Sequence, residues 1–266
     1  MAMRERDGRR PDAPADLVRI GDGRVNIGTE AELIARILAD ARAGHGGTVF
    51  TLNLDHLVKL RDDAGFRAAY DAATYVSADG APVVKIARRQ GASVDRVTGA
   101  DLVLPLCRAA ADAGISVHLF GTSDAIRAEA AAKLVADIPG LVIAGSESPP
   151  RGFDPEGEAA KAAAARIEAS GAGICFVALG APKQELFAHA ATRHPAGVIY
   201  VCIGAALDFI SGHSKRAPIL FQRTGTEWVW RFLQEPRRLG MRYARSMAYY
   251  IGYLIKGPDR RSNGRG

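Results

Sequence analysis

Three short stretches put chemically capable side chains where an apolar run stops: Thr51-Leu-Asn53-Leu-Asp55-His56, Ser77-Ala-Asp79-Gly80 and Gly180-Ala-Pro182-Lys183-Gln184-Glu185. A carboxylate at such a boundary can take a proton from a hydroxyl within hydrogen-bond reach, which is general-base chemistry. Asp79 has that placement, after the apolar and aromatic run Ala73 to Val76 and before Gly80. The same local pattern also suits a helix cap, a structural role that stabilises by about 1 kcal/mol. No two of the six histidines are spaced His-x-x-x-His, so a helical metal site is not indicated. His56, inside one of the polar stretches, could touch a substrate, whereas His118 sits in an apolar run and reads as a satisfied core residue. There is no Asp-x-Asp pair, and the nearest spacing, Asp154-Pro-Glu156, reads as a solvated turn. Arginines are then the groups suited to an anionic charge, through forked hydrogen bonds, with Arg96, Arg216 and Arg231 as candidates.

The elements that must carry these residues are legible from Ile115 onward. Short β-rich runs (SVHLF, LVIA, ICFVAL, VIYVCI) alternate with helical periods near Asp124 to Ala136, Pro155 to Ala169 and Lys183 to His194. Such alternation predicts right-handed βαβ units, hence an α/β fold with a Rossmann-like, mostly parallel sheet and helices on both faces. Upstream, Thr29 followed by Glu32 is a capping-box signature for a helix to about Ala43, and a buried strand is expected over Thr48 to Leu52. Glycine follows each of the four later runs (Gly121, Gly145, Gly180, Gly204), where ligands bind in open α/β sheets. Glycine there also serves tight turns, but four in register favour a nucleotide-type ligand. The G-x-G-x-x-G and Walker spacings are both absent, which disfavours an NAD enzyme and a kinase-type NTPase.

Charge is uneven along the 266 residues. Residues 231–261 hold eight Lys/Arg against two acids, while residues 1–230 carry a net −1. A neutral body with a basic tail points to an anionic partner for the tail alone. Arg238, Arg242 and Arg245 recur at helical spacing after Pro236, beside Tyr243, Met247, Tyr250, Ile251 and Leu254. A helix so divided can lie in a membrane interface or pack its aromatics on the core. Arginines interleaved with tyrosines also suit nucleic acid, but no nucleic-acid module is recognisable, so none is expected as partner. The longest apolar stretch in this region, Met247 to Ile255, is far short of the roughly 20 residues that span a bilayer, and no signal peptide is expected. The three cysteines are far apart and in apolar surroundings, as expected of buried thiols. The expected organisation is a disordered tail over 1–14, an α/β domain over 15–225, a basic helical appendage over 226–257 and a second disordered tail over 258–266.

From Thr51 to Arg242 the sequence resembles the WecG/TagA/CpsF glycosyltransferases, family twenty-six in the usual classification. Beyond the three stretches above, the resemblance rests on Arg96-Val-Thr-Gly99-Ala-Asp101, Gly204-Ala-Ala-Leu-Asp208-Phe-Ile-Ser-Gly212, Arg216-Ala217-Pro218, Glu227-Trp228-x-x-Arg231 and Glu235-Pro236-Arg237-Arg238. It implies inverting transfer of an N-acetylmannosamine-type or related sugar from UDP to an undecaprenyl-pyrophosphoryl sugar, in cell-surface polysaccharide assembly at the inner face of the bacterial plasma membrane. It assigns the base to Asp79. Thr51 and Asn53 then look like donor contacts, Arg96 like a pyrophosphate partner, and Gln184 with Asp208 like nucleotide-sugar contacts. His56, Lys183, Arg216, Arg231 and Arg238 complete the expected substrate-binding set, with no metal and no cofactor beyond the UDP-sugar itself. A homo-oligomer is compatible with the sequence. A non-catalytic nucleotide-sugar or lipid-binding protein at the membrane would keep the glycines and the tail, but needs no carboxylate at Asp79.

Overall fold

The computed structural model describes residues 13–193, 197–218, 221, 227–234 and 236–256. The expected terminal tails lie outside these, apart from Ala13 and Pro14. Six parallel strands form the sheet: β3 (Gly47–Leu52), β4 (Tyr75–Ala78), β5 (Val117–Gly121), β6 (Ile143–Glu147), β7 (Ile174–Ala178) and β8 (Ile199–Cys202), in the order β4-β3-β8-β7-β5-β6. A small antiparallel hairpin, β1 (Val18–Ile20) with β2 (Gly23–Val25), precedes them and was not legible in the sequence. Its strands are three residues each, too short to show a period.

Strand side chains alternate between two apolar layers. Phe50, Val76, Phe120, Cys175 and Tyr200 pack on one face with α2 (Leu54–Asp62), α3 (Ala64–Ala72), α4 (Ala81–Arg89), α7 (Glu158–Ala169) and α8 (Lys183–Ala191). Val49, Tyr75, Leu119, Ile174 and Val201 pack on the other with α1 (Glu30–Arg42), α5 (Gly99–Asp112), α6 (Asp124–Asp137) and α9 (Ala206–Ser211). Period-two alternation with both faces covered is the reason these strands read as unbroken apolar runs. The first face includes an aromatic cluster in which Phe120 and Phe187 stack with centroids 4.5 Å apart and Phe153 and Tyr200 meet Phe187 edge-on. Each such ring, fully buried, stabilises by roughly 1.5–3 kcal/mol.

Thr29 caps α1, accepting from the Glu32 amide at 3.1 Å, but the Glu32 carboxylate reaches back to the Gly28 amide at 3.0 Å. Of the four glycines expected at strand ends, Gly145 lies inside β6, where a Cβ would come within 2.6 Å of the His118 ring. Gly121 closes β5 against the Ala178 backbone, so both are packing glycines. His118 is only half satisfied. Its Nδ1 meets Ser170 Oγ at 3.3 Å, while Nε2 is buried without a hydrogen-bond partner among the described residues. All three cysteines are buried free thiols.

Two C-terminal helices, α10 (Glu227–Gln234) and α11 (Pro236–Lys256), complete the fold. One stripe of α11 fastens to the body. Arg242 pairs with Asp55 at 3.1 Å and Arg245 with Asp62 at 2.7 Å. Further along, the Tyr249 hydroxyl abuts Gly21 and Tyr253 accepts from Gln90 Nε2 at 2.7 Å. The spacing 242, 245, 249, 253 is one helix face. The arginine stripe is therefore directed in part at acids of α2. Met241, Ile251, Leu254 and Ile255 are exposed, and among the described residues no helix is long and apolar enough to cross a membrane.

Candidate active site

A cleft of about 670 Å³ opens beyond the carboxyl ends of β3, β4, β7 and β8, with α10 and α11 as its outer wall. Asp79 is the residue after β4, its amide bonded to the Leu52 carbonyl at 2.8 Å. Gly80, at φ 88°, is the N-cap of α4, so the Asp79 carboxylate is not used as that cap. It lines the cleft instead, where Thr51 Oγ1, at the end of β3, approaches its Oδ2 at 3.5 Å.

Four helices begin at this cleft. Asn53 and Asp55 at the start of α2, Gly80 and Ala81 at that of α4, Gly99 and Ala100 at that of α5, and Gly180, just before α8, with Gln184 in its first turn, all line it. Each N-terminus presents unpaired amides and the positive end of a macrodipole, about half a charge. Asn53 caps α2 by accepting from the His56 amide at 3.0 Å, which leaves its Nδ2 as the half suited to a ligand. Gly99 is required sterically. A Cβ there would stand 2.8 Å from the Cys202 carbonyl and 2.9 Å from Ile203 Cα, so only glycine seats the start of α5 against the end of β8.

Arg96 and Arg216 share one carboxylate. Asp101 Oδ2 accepts from Arg96 at 3.2 Å and from Thr98 Oγ1 at 2.9 Å, while Oδ1 accepts from Arg216. Both arginines line the cleft, and Arg216 Nε is buried with no hydrogen-bond partner among the described residues. Two guanidiniums on one aspartate leave a net positive charge held in fixed geometry. Together with the helix N-termini, this corner of the cleft has the chemistry that suits an anionic group.

His56 is buried, its Nδ1 2.6 Å from the Tyr70 hydroxyl. Burial drives its pKa down to about 3 despite the pull of Asp55, so the ring is neutral at physiological pH. It lines the cleft floor as a neutral hydrogen-bonding group. Asp55 is under opposing influences: burial raises its pKa, but Arg242 and Lys59 outweigh this and hold it below the ordinary value. Gln184 is buried, donating from Nε2 to Glu185 Oε1 at 2.8 Å and accepting from the Gly204 amide at 3.1 Å.

Of the residues expected from the sequence, Thr51, Asn53, His56, Asp79, Arg96, Gln184 and Arg216 therefore line one cleft. Lys183 does not. It is exposed, because one helical step carries it about 100° from the inward Gln184. Asp208 is part-buried in the first turn of α9, outside the cleft lining, its carboxyl raised by burial. The side chains of Arg231 and Arg238 lie outside the described residues. Asp101 as the holder of the arginine pair is not evident from the sequence, although Thr98-x-x-Asp101 is the pattern of a helix start. Nor are the wall residues Phe232, Tyr243 and Ser246, which only tertiary packing brings here. Among the described residues no three His, Cys, Asp or Glu side chains form a metal-ligand group. A family model described as the glycosyl transferase WecG/TagA/CpsF family matches residues 18–263.

Proposed function

The chain belongs to the WecG/TagA/CpsF glycosyltransferase family, and on that premise we propose that it moves a sugar of N-acetylmannosamine type from UDP to an undecaprenyl-pyrophosphoryl-linked sugar, with inversion, in cell-surface polysaccharide assembly. The observation that carries this reading is the pairing in one cleft of a carboxylate, Asp79, with an anion site made by Arg96, Arg216 and four helix N-termini.

The chemistry follows from that pairing. Asp79 takes the proton of the acceptor hydroxyl as its oxygen attacks the anomeric carbon, while the bond to the UDP oxygen breaks on the opposite face. Negative charge grows on the departing pyrophosphate, and the guanidiniums and helix amides already face it, so little reorganisation is needed. In this reading Asn53 Nδ2 and the remaining hydrogen of Gln184 Nε2 contact donor hydroxyls or phosphate, and His56 serves as a neutral partner. In this account the arginine pair does the work that a divalent metal does in many UDP-sugar transferases. Lys183 and Asp208 have no direct contact with the donor in it.

The acceptor's pyrophosphate approaches along the α10–α11 wall. The exposed apolar row Met241, Ile251, Leu254 and Ile255 rests on the lipid surface from which the acceptor projects, with the protein peripheral on the cytoplasmic face. The test is incubation with a panel of UDP-sugars and a synthetic polyprenyl-pyrophosphoryl sugar. A gain in the lipid of one sugar's mass, with release of UDP, is the expected result. No elongation with any donor would overturn the reading.

A further inference from the structure

We propose that Glu185 is a positioning residue: its buried carboxyl fixes the Gln184 amide between itself and the Gly204 backbone, and so sets how the cleft floor receives the donor. The donor role rests on the function proposed above; the positioning itself does not.

The geometry is specific. Glu185 is fully buried and does not line the cleft, so it touches no substrate. Its Oε1 accepts from Gln184 Nε2 at 2.8 Å and lies 3.9 Å from His56 Nε2. Both ends of the Gln184 amide are thereby committed, Nε2 to Glu185 and Oε1 to the Gly204 amide 3.1 Å away, which rules out a flip of the group. Gly204 and Gln184 both line the cleft, as does His56. One buried carboxyl thus lies beneath two cleft residues on different helices, α2 and α8.

The second oxygen, Oε2, is buried with no hydrogen-bond partner among the described residues. An orphan carboxyl oxygen costs far less in a neutral acid than in an anion. Burial accordingly lifts the Glu185 pKa to about 7, against the opposing Gln184 hydrogen bond. The titratable groups that face it are Asp55, His56 and Lys59 of α2, Tyr70 of α3 and Cys202 of β8. His56, Tyr70 and Cys202 are neutral near pH 7, because burial disfavours their charged forms. Lys59 and Asp55 pair with each other. Glu185 is therefore the member of this group that changes charge near neutrality. Its ionisation places a negative charge directly under the site of an anionic donor.

The proposal is tested in the full chain with Glu185→Gln and Glu185→Leu. Glutamine keeps an acceptor for Gln184 but cannot ionise; leucine removes the acceptor. With 15N-glycine labelling and no ligand, the Gly204 amide shift should titrate with a midpoint near 7 in the unmodified protein and lose that transition in Glu185→Gln. With UDP-sugar, KM should rise through that pH range in the unmodified protein and stay flat in Glu185→Gln, while kcat at acidic pH is preserved. Glu185→Leu should give an equally flat profile with KM about tenfold above that of Glu185→Gln. A Gly204 amide that does not titrate, or titrates equally in Glu185→Gln, overturns the proposal even if leucine fails to fold. A KM profile unchanged by Glu185→Gln overturns its link to the donor. If UDP-sugar is no substrate at all, the functional reading falls, and the Gly204 titration still decides the positioning role.

Discussion

Arg242, in the second turn of α11, pairs at 3.1 Å with Asp55, in the first turn of α2. Asp55 also accepts from Lys59, and both Asp55 and Arg242 line the cleft. The C-terminal helix is thereby fastened to the same helix start that carries Asn53 and His56. Of the contacts that fasten α11, this is the one at the cleft itself, joining its outer wall to its floor, so loss of that contact should be felt as loss of activity before loss of fold.

Arg242→Glu places a second carboxylate against Asp55. Limited proteolysis should then cut between α10 and α11 or remove α11, with transfer to the lipid acceptor reduced at least about tenfold. The α/β body should keep its circular dichroism spectrum. The pair should also weaken in acid. Asp55 has a depressed pKa, so its contribution is present above the ordinary carboxylate value and is lost as pH falls through the lower, folded value. Wild-type proteolytic resistance that is unchanged in the variant would contradict this.

His56 and Glu185 should give opposite pH dependences of stability. His56 has a folded pKa near 3 against an ordinary 6.5, so its contribution is present above 6.5 and is lost as pH falls toward 3. Glu185 has a folded pKa near 7 against 4.5, so its contribution is present below 4.5 and is lost as pH rises through 7. Melting temperatures from acid to neutral pH should show Glu185→Gln gaining on wild type as pH rises. A constant offset between the two would contradict the assignment.

Arg216→Lys keeps the charge but loses the fork, so it cannot reach both Asp101 and a pyrophosphate oxygen in the same geometry. We expect kcat/KM to fall by about 10- to 100-fold, a loss of one or two charge-assisted hydrogen bonds. Exhaustive EDTA treatment should leave wild-type turnover unchanged. Activity lost to EDTA and restored by manganese or magnesium would show that the arginine pair is not sufficient.

Gly99→Ala tests the seat of α5. Its new methyl meets the backbone of Cys202 and Ile203, which cannot rotate away. Thermal denaturation should register a loss of about 1–3 kcal/mol, typical of overpacking, together with weaker UDP binding as the helix start withdraws. Unchanged stability would mean that the strand end yields more easily than this packing implies.

Much of this was legible before the structure. The parallel sheet announced itself because strands buried on both faces must be continuously apolar, as ICFVAL and VIYVCI are. Asp79, Thr51 and Gln184 stood out because polar groups ended apolar runs. What was not legible depended on tertiary geometry. Arg242 and Asp55 are 187 positions apart in the chain, and nothing in either local pattern names the other. The arginine stripe looked like a lipid-facing surface because helical spacing shows which residues share a face, not what that face meets. Lys183 stands beside Gln184 in the sequence, but neighbours on a helix point apart. Gly145 illustrates the converse limit, since a glycine at a strand end and one under a histidine ring look alike in sequence.

The base role of Asp79 is tested most directly by Asp79→Asn, with turnover measured on a UDP-sugar and a polyprenyl-pyrophosphoryl sugar and UDP affinity measured by calorimetry. Asparagine preserves the size of the side chain but cannot accept the proton of the attacking hydroxyl. Turnover should fall by about 10² to 10⁴ with fold and UDP affinity retained; a folded Asp79→Asn protein that elongates the lipid at the wild-type rate would show that Asp79 is not the base.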